Sequence, residues 1–193
     1  MGRVKRAADR FGREASLVLL TVRRKLGVDG LINCKDLSVG YSRPIIKKMS
    51  NTIFIPTPKS FSFRHAVGGH GWYDLSPFEY DEAGGTLDYA YRSRKTGRSE
   101  HVTMKDGGDG IEAMLASKRA DAEEASAVVR HVLRIDEDLA GFYAAVAGSE
   151  SFQWIEAMRA GRLLRSGTVF EDLVKTLCTT NCSWSMTRLM TTN

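Results

Sequence analysis

Residues 166–193 read SGTVFEDLVKTLCTTNCSWSMTRLMTTN, two helical patterns joined by a polar break. Thr168 precedes a helical run and Glu171 follows three residues later, the spacing of a reciprocal N-terminal capping box. Phe170, Leu173, Val174 and Leu177 share one face at helical spacing, which predicts an amphipathic helix. Thr179-Thr180-Asn181 is a short polar break, after which Trp184, Leu189 and Met190 begin a second apolar face. No glycine cap, proline or closing turn follows Met190. The pattern therefore predicts a helix that continues, with this chain the N-terminal portion of a longer protein.

Working back from that stretch, Asp121 can cap a helix running to about Arg134, with Ala125, Val128, Val129 and Val132 inward. Asp136 to Asp138 open another helix, which carries Leu139, Phe142, Tyr143 and Val146 and ends at Gly148. A third is expected from about Ser149 to Ala160, bearing Phe152, Ile155 and Met158, with Gly161 as its left-handed cap. The aromatic stripe Phe142, Tyr143, Phe152 and Trp154 is read as core in preference to a base-stacking platform.

Before these helices the period changes to two. Phe61 and Phe63 alternate with Ser62 and Arg64, and Leu87, Tyr89 and Tyr91 alternate with Asp88, Ala90 and Arg92. Val102 and Met104 repeat the pattern. Pro77 to Asp81 reads as an edge segment, and Ile111 to Ala116 as the last strand. Glycines at 68–71, 84–85, 97 and 107–110 mark the turns. The sum is an antiparallel meander of four or five strands with one wet face, opened by Ile53-Phe54-Ile55-Pro56. The fold class is α+β: a sheet domain over 49–119, then helices over 120–193.

Charge is unevenly placed along the 193 residues. Residues 1–48 hold 12 Lys/Arg against 4 Asp/Glu, a net of +8, whereas 49–193 hold 16 against 19, a net of −3. The basic balance belongs to the first segment, and does not show that the folded part is a general polyanion binder. That segment reads as a nucleic-acid-binding arm, an amphipathic targeting stretch, or sequence upstream of a natural start at Met49. The three cysteines, Cys34, Cys178 and Cys182, have no framework spacing and suggest free thiols in a reducing compartment. Cys178 and Cys182 are half of a metal site or, in the simpler reading, two small packing residues. His65, His70 and His101 lack ligand-spaced partners and read as turn or surface histidines. No run approaches the ~20 apolar residues a membrane span needs.

RLLRSGTVFEDLVKTLCTTNCSW (162–184) resembles the entry to the helical core of the helix-hairpin-helix (HhH-GPD) DNA glycosylases. That superfamily includes the 8-oxoguanine and 3-methyladenine glycosylases. FSFRHAVGGHGWYDLSPFEYD (61–81) is similar to the sheet segment that opens many of them, and 133–164 to the passage from sheet to helices. The resemblance covers roughly Phe61 to Asn193. It implies a base-excision repair enzyme that extrudes a damaged purine, oxidised or alkylated, and cleaves its N-glycosidic bond. Asn181 matches the polar residue that such enzymes push into the duplex, with Cys182, Ser183 and Trp184 flanking it; a plain helix cap is the alternative. Phe61, Phe63 and Arg64 match the segment that touches the damaged base, although Ser60 stands where a glycine is expected.

The resemblance also implies a catalytic carboxylate and, for lyase activity, an amine, both from a hairpin and a following Asp expected beyond Asn193. No catalytic residue is therefore assigned within the chain, which is expected to be inactive alone. Lys175 is no substitute, since it points away from the apolar face. The implied partner is double-stranded DNA bearing a damaged base, bound by an intracellular monomer with no membrane contact, no metal and no cofactor. Two rival readings remain. One is a non-catalytic nucleic-acid-binding protein working through its basic arm, and the other a small α+β interaction domain.

Overall fold

The computed structural model describes residues 48–49 and 51–192, so the basic extension, apart from the backbone of Lys48, lies outside the described residues. Among them, six strands make one antiparallel sheet: β1 (Lys48–Met49), β2 (Thr52–Pro56), β3 (Phe78–Asp81), β4 (Thr86–Arg92), β5 (Ser99–Asp106) and β6 (Gly110–Leu115). Their order is β1-β2-β6-β5-β4-β3. The expected meander is β3 to β6, and the opening strand β2 joins it beside β6.

Register turns the alternation into a core. Leu87 pairs with Met104, Met104 with Ala113, and Ala113 with Ile53, a row across four strands in which every side chain is fully buried. Leu87, Met104 and Ile53 each contribute about 1.5–3 kcal/mol relative to exposure, and the small Ala113 less. The facing row, with Asp88 hydrogen-bonded to Thr103 and Met114 exposed, is the wet side.

Two helices cover the dry face. In α1 (Phe63–Gly68) the buried Phe63, Ala66 and Val67 repeat at i, i+3 and i+4. This corrects the strand expected at Phe61–Arg64. The Ser62 hydroxyl accepts the His65 amide and starts a helix, and two phenylalanines two apart suit either period. In α2 (Ala122–Val132) the Asp121 carboxylate caps as expected, and Ala125, Val129 and Val132 are buried.

The later helices are shorter than their patterns suggested. They are α3 (Ala140–Val146), a 3-10 turn at Glu150–Phe152 and α4 (Gln153–Ala157). Of the aromatic stripe only Tyr143 is core, its hydroxyl donating to the Ala160 carbonyl at 3.0 Å. Phe142, Phe152 and Trp154 are exposed, which corrects their reading as core.

The last two helices are α5 (Val169–Thr179) and α6 (Trp184–Thr192). An amphipathic helix ordinarily turns its apolar stripe to the core. Here Phe170, Leu173 and Leu177 are exposed, and the buried residue of α5 is Lys175. The helix lies on the sheet through the stripe formed by Glu171, Asp172 and Lys175.

Candidate nucleic-acid interface

The corner between α5 and α6 holds four of the residues singled out in the sequence. Thr180 ends α5 in extended geometry, and Asn181 then takes φ 54°, a left-handed conformation that Asn tolerates better than most side chains. Its side chain is exposed, and among the described residues no hydrogen bond holds it. The Cys182 thiol donates to the Cys178 carbonyl at 2.6 Å, and the buried Thr187 hydroxyl donates to the same carbonyl at 2.8 Å. Both bonds close the corner from inside. Ser183 is exposed, and its hydroxyl meets that of Ser185 at 3.0 Å. Trp184 is anchored within the chain, its indole Nε1 donating to Asp74 Oδ2 at 2.7 Å.

Beneath the corner, α5 is bonded to the sheet by polar groups. Lys175 donates to Glu171 Oε1 at 2.7 Å, and the Tyr89 hydroxyl donates to Glu171 Oε2 at 2.9 Å. The Gly167 amide donates to the Tyr89 hydroxyl at 2.9 Å. Burial lowers the Lys175 pKa, opposed by Glu171, and burial raises that of Tyr89, reinforced by Glu171. Burial also pushes the Asp172 carboxyl up, but bonds from Trp72 and Ser166 more than reverse this and hold it below the usual range. Glu171 thus serves Tyr89 and Lys175, and the capping box is completed only by the Thr168 hydroxyl taking the Glu171 amide.

The base-pocket candidates separate. Phe61 and Phe63 are buried in the core. Arg64 is exposed on the wall of a cleft of about 530 Å³, with His65, Tyr73, Tyr80, Trp154 and Leu163 also lining it. His70 caps the 3-10 turn Gly71–Asp74 by accepting the Trp72 amide at 3.0 Å, and burial lowers its pKa. His65 bonds Ser62, and His101 is exposed on β5. No group of three or more potential metal ligands occurs among the described residues.

Several site residues escaped the sequence reading. The i, i+4 spacing of Glu171 and Lys175 was a readable ion-pair signal. Their partner Tyr89 lies 82 residues before Glu171, and Asp74 lies 110 before Trp184, and local pattern carries no trace of either pairing. Arg162 is likewise buried, donating to the Arg134 and Glu137 carbonyls at 2.6 and 2.8 Å.

A solved structure of a 3-methyladenine DNA-glycosylase from Archaeoglobus fulgidus superposes with a TM-score of 0.56 at 14% identity, over 70% of this chain and 46% of that one. The chain has a DNA glycosylase-like fold. It spans about half the length of that glycosylase. No protein-family model matches the chain, and no curated protein sequence matches it. No helix among the described residues is long and apolar enough to cross a membrane.

Proposed function

We propose that this chain is part of a base-excision DNA glycosylase of the helix-hairpin-helix type. Its sheet domain (49–119) and the first helices of its core (120–193) would hold duplex DNA while a damaged purine, oxidised or alkylated, is extruded. The observation that carries this reading is Asn181: a polar, unbonded side chain on a left-handed corner between two helices of a glycosylase-like fold. A base in the stack is out of reach, so such an enzyme turns the nucleotide out and fills the gap with a side chain able to bond the orphaned partner. Asn181 has the size and the donor–acceptor pair for that task. Cys182 and Ser183 flank it toward DNA. Trp184, tied to Asp74, supports the corner, and its exposed edge is the part left for contact. Arg64, on its open cleft, is the base-pocket residue of this proposal, while Phe61 and Phe63 hold α1 in place.

Bond cleavage is assigned to no residue of the 193, and the carboxylate and the amine are expected from sequence following Asn193. The test compares the 193-residue chain with one extended by its own downstream coding sequence on duplexes bearing an alkylated or oxidised purine. Free base from the extended chain alone is the expected result. Base released by the 193 residues would place the chemistry inside them, and none from either chain would end the glycosylase reading. Asn181→Gly keeps the left-handed turn and deletes the side chain, so lesion processing at wild-type rate in that variant would remove Asn181 from the mechanism.

One observation favours a second reading. The positive charge is concentrated in residues 1–48, and phosphate attraction depends on charge. Deleting those residues separates the two: loss of all salt-dependent DNA binding points to a binding protein that works through its arm.

A further inference from the structure

The 3-10 turn Gly71–Asp74 touches both helices at the Asn181 corner, α5 through Trp72 and α6 through Asp74. From the turn, Trp72 Nε1 donates to Asp172 Oδ1 on α5 at 2.8 Å. Toward the turn, Trp184 Nε1 of α6 donates to Asp74 Oδ2 at 2.7 Å, and Arg188 Nε lies 3.2 Å from Asp74 Oδ1. Gly71 makes room for this arrangement, since a Cβ there would stand 2.5 Å from the Trp184 ring. The turn itself is fixed. His70 caps it, the Leu75 amide closes it onto the Trp72 carbonyl at 3.1 Å, and the carbonyl of the fully buried Leu75 accepts the amide of Phe78, the first residue of β3, at 3.1 Å.

We infer that this turn is a two-sided clamp that positions the Asn181 corner, with Asp74 as its positioning residue. The inference rests on the reading of Asn181 as the residue that enters DNA. A side chain driven into stacked bases meets resistance, and a corner joined only by its own loop would yield. Each helix is instead tied to the same short turn, which is anchored in the sheet, so neither can swing without breaking an indole–carboxylate bond. Such charge-assisted bonds are stronger than neutral ones. The exposed Arg188 arm adds little, because solvent screens it.

The test uses the full 193-residue chain with two readouts. One is amide hydrogen exchange at Met186 and Thr187, whose amides bond the Ser183 carbonyl at the start of α6. The other is fluorescence of 2-aminopurine placed beside a mismatch in a duplex, which reports base extrusion. Asp74→Leu is expected to speed exchange at those amides about tenfold while β4 and β5 are unchanged, and to abolish the fluorescence rise as Asn181→Gly does. Trp184→Phe should do the same from the other side. Asp74→Asn keeps an oxygen for the indole and should restore both readouts. Unchanged α6 exchange in Asp74→Leu overturns the clamp. Faster exchange with an undiminished fluorescence rise overturns its positioning role. If Asn181→Gly leaves the fluorescence rise intact, the DNA-entry reading fails by itself, and the exchange arm still decides whether the turn clamps the corner.

Discussion

Lys175 and Glu171, one turn apart on α5, face the sheet instead of solvent. The ammonium donates to Glu171 Oε1 at 2.7 Å and lies 4.5 Å from the centroid of the Phe78 ring. With Lys175 only 1% exposed, this is a buried cation on the element that carries the candidate interface. Removing one partner of a buried pair strands the other, at a cost of about 3–5 kcal/mol. Lys175→Ala should lose an amount in that range by urea unfolding. Lys175→Met combined with Glu171→Gln should recover most of it, because volume is kept and no charge is left alone. Equal loss in both variants would mean that the ion pair itself, and not an orphaned charge or lost packing, holds α5.

Alkaline pH should unfold the protein earlier than its lysines alone would. Burial, then Glu124, Glu100 and Asp121, push the Tyr91 hydroxyl up to about 12 from 10.0. The folded chain keeps a proton that the unfolded chain has lost, so this stabilisation is complete below the unfolded value and disappears as pH rises through the folded one. Tyr89, also raised by burial first, acts in the same direction. Lys175 acts oppositely, since burial lowers its pKa and unfolding takes up a proton. Tyr91→Phe should flatten the fall in unfolding free energy between about pH 10 and about pH 12, measured by urea titration. An unchanged slope would show that Tyr91 titrates normally.

Gly71→Ala should displace the Trp184 ring, which stands 2.5 Å from the added methyl and is tethered to Asp74. Overpacking of this kind costs about 1–3 kcal/mol. Thermal unfolding and the tryptophan emission spectrum should both shift. Gly68→Ala, with nothing within 4 Å of its Cβ, is the control and should be neutral or slightly stabilising.

The exposed stripe of α5 gives a contrast between two leucines. Leu173 is 50% exposed, so Leu173→Glu should change stability by no more than about 0.5 kcal/mol. Leu133, fully buried after α2, should lose about 2–5 kcal/mol on Leu133→Ala. A large loss at Leu173 by chemical denaturation would show that its face is covered in solution.

Much of the fold was legible because strand alternation and helix caps are local. Leu87, Tyr89 and Tyr91 announced β4, and Asp121 announced α2, each through neighbours within a few residues. The error at Phe61–Arg64 has the same origin: two aromatic residues two apart fit both periods, and the Ser62 hydroxyl bond that chose the helix is a three-residue signal easily overlooked. In the site, the Asn181 corner was legible as a polar break between two apolar patterns.

Local pattern along the chain was enough for strands β2 to β6, the helices α2, α5 and α6, the mixed α and β class and the place of the corner. Tertiary structure alone decided which face of α5 is buried and what the corner rests on. Burial of Lys175 depends on Glu171 being bonded in turn by Tyr89, and the seat of Trp184 depends on Asp74 and on the missing side chain of Gly71. These partners lie 82 and 110 residues away along the chain. A buried charge is tolerated only where its partners converge in space, and no periodicity along one segment encodes that convergence.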